Sequence, residues 1–214
     1  MSLDQKFENV PVTQLMLWWN GEELPEWSKE TGLFLHKTAS ALVRAGEGGI
    51  AFLRSQVESE DFRKRYYALD KLAHPERADE SIVQCLVKAF RSPPSDTPEV
   101  LAGFKILALE GLVRIGSYPL ERREVEALLE NSDKWLAAEA MAYLSHAFEA
   151  EAVAILSAGL ESNNPAVRGR ACTEAGFRNI RPLKERVTSL LNDADEYVAR
   201  AAQIGCEVFE VAEE

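Results

Sequence analysis

The sequence has 214 residues, of which 46% are hydrophobic and 28% are charged, a composition that is typical of an ordered protein and excludes a disordered chain. No apolar run approaches the roughly 20 residues that a membrane-spanning helix requires, so we expect no membrane association. The formal net charge of −11 repels polyanions at long range, which disfavours nucleic acid as a partner.

The first 30 residues match no later part of the chain, and they contain the stretch LMLWWNGEELPEW (15–27). We predict that residues 1–30 form a capping segment, because the apolar face at the end of a helical stack must be covered. The alternative is an exposed aromatic interface for a partner or for dimerisation, made of Trp18, Trp19 and Trp27, since tryptophan is enriched at binding hot spots.

From residue 34 onward, a pattern of three residues at positions i, i+4 and i+8 recurs six times. This spacing places the three residues on one face of a helix. Alanine occupies the middle position in five of the six rows, and a small residue there allows a neighbouring helix to approach closely. The rows begin at Phe34, Lys64, Phe104, Leu136, Val167 and Val198, at successive spacings of 30, 40, 32, 31 and 31 residues.

A second apolar-periodic segment follows each of the first five rows, and no segment shows the alternation expected of a strand. These second segments are residues 50–57, 81–90, 123–130, 150–160 and 182–191. Helix-start signals that precede the rows are Thr97-Pro98, Ser132, Asn164-Pro165 and Asp195. The insertion RSPPSDTPE (91–99) explains the spacing of 40 residues and is predicted to be a mobile loop.

Two stretches, NPAVRGRACTEAG (164–176) and RPLKERVTSLLND (181–193), resemble HEAT repeats of the short kind called PBS-lyase HEAT-like repeats. The resemblance implies an all-α fold: a right-handed α-α superhelix, or HEAT-like solenoid, of about five helix pairs plus a terminal helix. It also implies a single solenoid domain over residues 31–214. The charged end EVFEVAEE (207–214) is expected to cap the stack at its other end.

In this family, the arginine after the repeat valine typically reaches an acidic residue at the turn of the neighbouring repeat. Arg168 occupies that position, and Asp61-Phe62-Arg63 resembles a degenerate version of the motif. The last row has Ala199 in place of the arginine, so the ladder is expected to end there. The resemblance therefore implies a structural role for Arg168.

No catalytic or metal-binding motif is found, so we predict that the chain is not an enzyme and holds no cofactor or metal. The three histidines stand far apart, and none is followed by the glutamate of the His-Glu pairs that bind iron in the HEAT-repeat deoxyhypusine hydroxylases. Bilin lyases with HEAT-like repeats are the enzymatic alternative, although the repeat alone gives no catalytic residue to transfer. Cys85, Cys172 and Cys206 form no C-x-x-C pair and suit a reducing, cytoplasmic location.

The resemblance favours a protein–protein interaction or scaffold module that binds its partner through the concave face of the solenoid. Polar residues of the second helices are expected to line that face, namely Gln84, Lys88, Arg123, Glu126, Arg181 and Lys184. Because Arg181 and Lys184 offer charge-assisted hydrogen bonds, an acidic protein or peptide is the expected partner.

A basic patch at residues 168–186 supports a different function. Residues 161–190 carry six bases against three acids in an otherwise acidic chain. The alternative is therefore nucleic-acid binding of the HEAT-like DNA alkylation-repair type. Phosphate binding needs a continuous basic stripe, which the acidic residues at 121–160 interrupt, so protein binding remains the preferred hypothesis.

Overall fold

The computed structural model describes residues 2–30, 33–95 and 97–211, with only the backbone of Glu30, and these residues form helices and no strand. None of the described helices combines the length and the apolar composition needed to cross a bilayer. The α-helices are α1 (Val12–Asn20), α2 (Phe34–Arg44), α3 (Glu47–Gln56), α4 (Phe62–Leu72), α5 (Glu80–Arg91), α6 (Pro98–Ile115), α7 (Arg122–Glu126), α8 (Lys134–Ala147), α9 (Ala152–Leu160), α10 (Pro165–Phe177), α11 (Lys184–Ser189) and α12 (Glu196–Val211).

All six predicted rows lie on α-helices, namely α2, α4, α6, α8, α10 and α12, and the second segments correspond to α3, α5, α7, α9 and α11. The described residues thus contain five helix pairs in chain order and a terminal helix. The alanines at the middle of the rows are fully buried, as close helix packing requires. The all-α fold class is confirmed, and within each unit successive helices pack against one another.

Of the predicted helix-start signals, Asn164-Pro165 and Asp195 act as caps, whereas the side chain of Thr97 makes no cap hydrogen bond. Side-chain oxygens of the capping residues Asp61, Asp79, Asp133 and Asn164 accept hydrogen bonds from backbone N–H groups in the first turns of their helices. The prediction of Ser132 as a cap is wrong by one residue, because Asp133 Oδ1 accepts the first-turn hydrogen bonds of α8 at 2.9 and 3.0 Å.

The chain divides into two compact units, unit 1 (Met1–Gly116) and unit 2 (Ser117–Glu214). The predicted cap at residues 1–30 belongs to unit 1, and a single solenoid domain over residues 31–214 stays a prediction. The predicted mobile loop at 91–99 connects α5 to α6, and its residue 96 lies outside the described residues. The last three residues of the predicted acidic cap, 212–214, also lie outside them.

The N-terminal segment of unit 1 packs through an aromatic cluster. The rings of Phe7, Trp18, Trp27 and Phe34 have centroids between 5.4 and 5.9 Å apart. The indole N–H of Trp19 donates to Gln56 Oε1 on α3 at 3.1 Å. Burying each such ring stabilises the fold by about 2–3 kcal/mol, so this segment is held on α2 and α3.

In unit 2, α10 packs between α8 and α12 at close range. A Cβ added to Gly176 would lie 2.5 Å from the Cα of Gly205, so α10 and α12 approach through glycine. α10 also packs against α8 and α9, and a Cβ added to Gly159 of α9 would lie 3.0 Å from the Cβ of Ala171. Small residues at these positions bring the helix axes together and leave few voids in the core.

Candidate functional site

The first helices of three successive pairs, α2, α4 and α6, form an open groove in unit 1 with a volume of about 680 Å³. This volume lies within the range of binding pockets in proteins. We call it the aromatic groove, because five of its ten lining residues are Phe or Tyr. The lining residues are Phe34, Leu35, Phe62, Arg63, Tyr66, Tyr67, Glu99, Val100, Gly103 and Phe104.

The start of α4 supplies the centre of this lining. Asp61 Oδ1 accepts hydrogen bonds from the backbone N–H groups of Arg63 and Lys64 at 2.9 and 3.4 Å, which fixes the first turn of α4. One turn later, the ring of Tyr66 packs edge-on against Phe104 of α6, with centroids 5.6 Å apart. This aromatic contact joins α4 to α6 at the groove.

Open space in the groove adjoins Gly103 on α6. A Cβ added at this glycine would meet no heavy atom within 4 Å. Across the groove, the side chain of Phe62 is 39% exposed and presents apolar surface to solvent. An apolar group of another molecule that entered here would gain about 25 cal/mol for each Å² of apolar surface buried.

Two opposite charges also line the aromatic groove, Arg63 on α4 and Glu99 on α6, and both residues are exposed. The guanidinium carbon of Arg63 lies 5.9 Å from the ring centroid of Phe62. Burial raises the pKa of Tyr66, so its phenol is neutral near pH 7 and can donate a hydrogen bond. The groove therefore combines apolar surface with charge recognition.

The predicted second-helix residues fall in both units. In unit 1, Gln84 and Lys88 are exposed on α5, where Gln84 Nε2 donates to Glu80 Oε1 at 2.7 Å and Lys88 pairs with Glu58 at 2.7 Å. Neither residue lines the aromatic groove, which belongs to the first helices of the pairs.

The other four second-helix residues lie in unit 2. Arg123 and Arg181 are exposed, Lys184 is partly buried at the start of α11, and Glu126 pairs with Arg122 at 2.6 Å. A concave surface that unites these residues with those of α5 stays a prediction.

Arg168 has the structural role that the repeat resemblance implies. Its guanidinium forms two hydrogen bonds to Asp193, at 2.9 and 3.0 Å, and a third to the carbonyl oxygen of Ser162 at 2.8 Å. In unit 1, the interpretation of Arg63 as a degenerate ladder residue is wrong. The equivalent residue is Arg65, whose guanidinium donates to the carbonyl oxygens of residues 58 and 59.

Other cations of the basic patch at 168–186 are also paired. Arg170 pairs with Glu139 at 3.0 Å and with Glu174 at 3.3 Å. Arg186 forms an ion pair with Glu161. These pairs neutralise positive charge that phosphate binding would require, which weakens the nucleic-acid alternative.

A polar cluster between α8 and α10 was missed by the sequence analysis. His146 Nε2 lies 2.8 Å from Glu174 Oε2, and Glu174 is buried. Burial alone would raise the pKa of Glu174, but the hydrogen bond with His146 and the positive charge of Arg170 outweigh it and lower that pKa. The i, i+4 spacing of Arg170 and Glu174 was the available signal. Among the described residues, no group of His, Cys, Asp and Glu could hold a metal ion.

The alternative of an exposed aromatic interface is corrected for two of its three tryptophans. Trp18 and Trp19 are 9% and 1% exposed, because their rings pack inside unit 1, and Trp27 is partly buried in the same cluster. By contrast, Trp135 on α8 is 44% exposed and packs edge-on against Tyr197 of α12, with centroids 5.2 Å apart.

No protein-family profile and no curated protein matches this chain. Among solved structures, it is similar to an engineered protein at 18% identity and a TM-score of 0.46, over 99% of this chain and 98% of the other. It is similar to a second engineered protein at 15% identity and a TM-score of 0.42, over 99% of this chain and 100% of the other. It is also similar to human deoxyhypusine hydroxylase in complex with glycerol, at 17% identity and a TM-score of 0.32, over 97% of each chain. All three TM-scores lie below 0.5, and no property of these proteins is carried over to this chain.

Proposed function

We propose that the chain is a protein-binding module of the HEAT-like repeat class, and that its aromatic groove receives an apolar segment of a partner protein. The observation that carries this proposal is the groove itself, about 680 Å³ of open space beside five aromatic side chains. Aromatic residues dominate the hot spots of protein interfaces, because each buries a large area at a small cost in conformational entropy.

Two features support the HEAT-like assignment. The first is the set of rows whose middle alanines are fully buried. The second is the contact of Arg168 with Asp193, which lies at the turn before α12. Both are packing features, so they support the architecture alone. The binding function is argued from the aromatic groove.

The chemistry of the groove favours binding over catalysis. Among the residues that the structure describes, its lining contains no histidine, cysteine or lysine, and its charged residues, Arg63 and Glu99, are exposed. General acid–base catalysis relies on groups whose pKa values lie near the working pH, usually in a desolvated pocket. An apolar segment flanked by polar contacts suits this lining better.

Affinity capture with a groove-filling variant tests the proposal. The purified protein serves as bait in nuclease-treated lysate of its native host, and bound proteins are quantified by mass spectrometry. Gly103→Leu places a side chain in open space of the groove without a backbone clash. The matched control is Gly48→Leu, at an exposed position of α3 that also has no heavy atom within 4 Å of an added Cβ.

The wild type and Gly48→Leu are expected to recover the same partner in stoichiometric amount, and Gly103→Leu is expected to lose it. A third variant, Arg181→Glu/Lys184→Glu, tests the second-helix surface of unit 2. If this variant loses the partner while Gly103→Leu retains it, the partner binds at the second helices and the groove proposal fails. Recovery that depends on omitting the nuclease would favour nucleic acid instead.

A further inference from the structure

We infer that the aromatic groove recognises a peptide segment in which an apolar or aromatic side chain lies between an acidic and a basic residue. The acidic residue pairs with Arg63 and the basic residue with Glu99, while the apolar side chain enters the space beside Gly103. This inference rests on the proposed function and specifies the chemistry of the partner.

Opposite charges in one groove carry the inference. Arg63 is the second residue of α4 and Glu99 the second residue of α6, so the two stand on different helices. Within the described part of the chain they form no ion pair with each other or with a third residue, whereas the exposed Lys88 and the partly buried Lys37 and Arg54 of unit 1 are each paired. Those pairs are Lys37 with Asp4, Arg54 with Asp79 and Lys88 with Glu58, at 2.7 to 2.8 Å.

Two charges of opposite sign that form no ion pair with each other give the groove a direction. A ligand that binds both residues must carry an acidic group that meets Arg63 and a basic group that meets Glu99. Its apolar group lies between these two charges. A single carboxylate or a single ammonium group would satisfy one charge and leave the other unmatched. The arrangement therefore selects the direction of the bound segment as well as its composition.

The groove that Arg63 and Glu99 line also has an apolar part. Phe62 presents a ring that is 39% exposed, and Tyr66 and Phe104 hold each other edge-on beside it. Aromatic pairs contribute beyond the area they bury when a ring edge meets a ring face. An aromatic side chain of the partner can therefore pack against this set while its neighbours in sequence reach the charges.

Selection from a phage-displayed library of random peptides tests this inference on the full chain. Peptides are selected on the wild type and counter-selected on Gly103→Leu, so that only groove-dependent binders remain. The expected consensus is an aromatic or large apolar residue with an acid on one side and a base on the other. Free phenylalanine is added as a competitor, and if it displaces the peptides at comparable concentration, the groove is an amino-acid site and the inference is overturned.

Charge exchange tests the direction of binding. Arg63→Glu is expected to weaken a selected peptide by about fivefold to tenfold in Kd, as expected when an exposed ion pair becomes a repulsive contact. The charge-exchanged variant Arg63→Glu/Glu99→Arg should recover affinity only for a peptide whose acid and base are exchanged. Lys29→Glu is the control, because it makes the same charge change at an exposed position outside the groove lining.

The possible results separate the two proposals. Failure to select any groove-dependent peptide would count against the proposed function itself. The selection could instead yield groove-dependent peptides without a charged consensus, or peptides whose Kd values Arg63→Glu does not change. Either result would be compatible with the proposed function and would overturn this inference.

Discussion

Units 1 and 2 are built from the same row pattern, yet one glycine on a first helix of unit 1 and one on a first helix of unit 2 have opposite surroundings. In unit 2, Gly176 of α10 meets Gly205 of α12 so closely that a Cβ would lie 2.5 Å from the facing Cα. In unit 1, a Cβ added to Gly103 of α6 would lie within 4 Å of no described atom outside its own helix backbone, and Gly103 adjoins the aromatic groove. Gly176 thus allows α10 and α12 to pack in close contact, whereas Gly103 leaves open space beside α6.

The residue that precedes each row shows the same contrast. In unit 2, Trp135 and Tyr197 occupy this position on α8 and α12 and pack edge-on against each other, and a Cβ added to Gly169 would clash with Tyr197. In unit 1, the position is occupied on α4 and α6 by Arg63 and Gly103, which line the groove. The position before the row is therefore occupied by paired aromatic residues on α8 and α12 and by groove-lining residues on α4 and α6.

The strongest test of this contrast replaces one glycine in each unit. Gly176→Leu is expected to destabilise unit 2 by about 3 kcal/mol, because the new side chain must separate α10 from α12. Gly103→Leu is expected to be neutral or to stabilise by about 0.5–1 kcal/mol, because leucine favours the helix more than glycine does. Urea unfolding followed by circular dichroism measures both changes, and hydrogen exchange assigns them to a unit.

Equal losses of unfolding free energy in the two variants would contradict the comparison. So would a loss in Gly176→Leu that hydrogen exchange places in unit 1.

The arginine four residues after the helix cap provides the next test. Arg168→Ala is expected to cost about 2 kcal/mol, because it removes three hydrogen bonds and leaves the carboxylate of Asp193 nearly buried without its partner. Arg65→Ala in unit 1 is expected to cost only about 1 kcal/mol, since Arg65 donates to backbone carbonyl groups and leaves no charge unpaired. Denaturant midpoints of the two variants, at unchanged m-value, measure the difference. A larger loss for Arg65→Ala would show that the ladder contact is not the main role of Arg168.

The ladder also shows how far the fold could be predicted from the sequence. Rows and caps depend on residues a few positions apart, so the helices could be placed with small errors, such as Ser132 for Asp133. The ladder residue of unit 1 was misplaced at Arg63, although the row beginning at Lys64 aligns Arg65 with Arg168. The position of an arginine relative to the helix cap determines which groups it contacts. Arg65 and Arg168 both stand four residues after their capping residues, and both donate to a carbonyl oxygen of the turn that precedes the helix.

The aromatic groove could not be predicted in the same way. Phe34, Tyr66 and Phe104 lie far apart in the sequence, and their meeting depends on the spacing of three helices that no local pattern fixes. The available signal was the density of aromatic residues in the first turns of α4, where Phe62, Tyr66 and Tyr67 follow a cap. Gly103 could not be recognised as a groove residue, because a glycine in a helix lowers the stability of that helix whether it adjoins open space or a packed neighbour.

Acidification is expected to have a smaller effect than the loss of Arg168, because it removes only part of the same contacts. Hydrogen bonds from Arg168 and from the backbone N–H of Asp195 hold the pKa of Asp193 below its ordinary value. The folded state therefore binds this proton less readily than the unfolded state, so the contribution is present at neutral pH and is lost as the pH falls below about 4. The unfolding free energy of unit 2 should fall in this range.

Arg168→Ala is the matched variant for the pH measurement. It should lose the part of the acid dependence that belongs to Asp193 and keep the part that belongs to Glu174, whose pKa is lowered by other partners. An acid dependence identical to that of the wild type would exclude Asp193 as a source.

The smallest expected effect is a difference in fluorescence quenching between the tryptophans of the two units. Trp135→Phe should lower the acrylamide quenching constant of the protein, because it removes the most exposed indole while stability changes by only about 0.5–1 kcal/mol. Trp19→Phe should raise the quenching constant, since it removes an indole that is 1% exposed. If both variants instead leave the constant unchanged, the N-terminal tryptophans are as accessible as Trp135. The N-terminal segment would then be an open surface, and the aromatic groove beside Phe34 would lose the packed wall on which its shape depends.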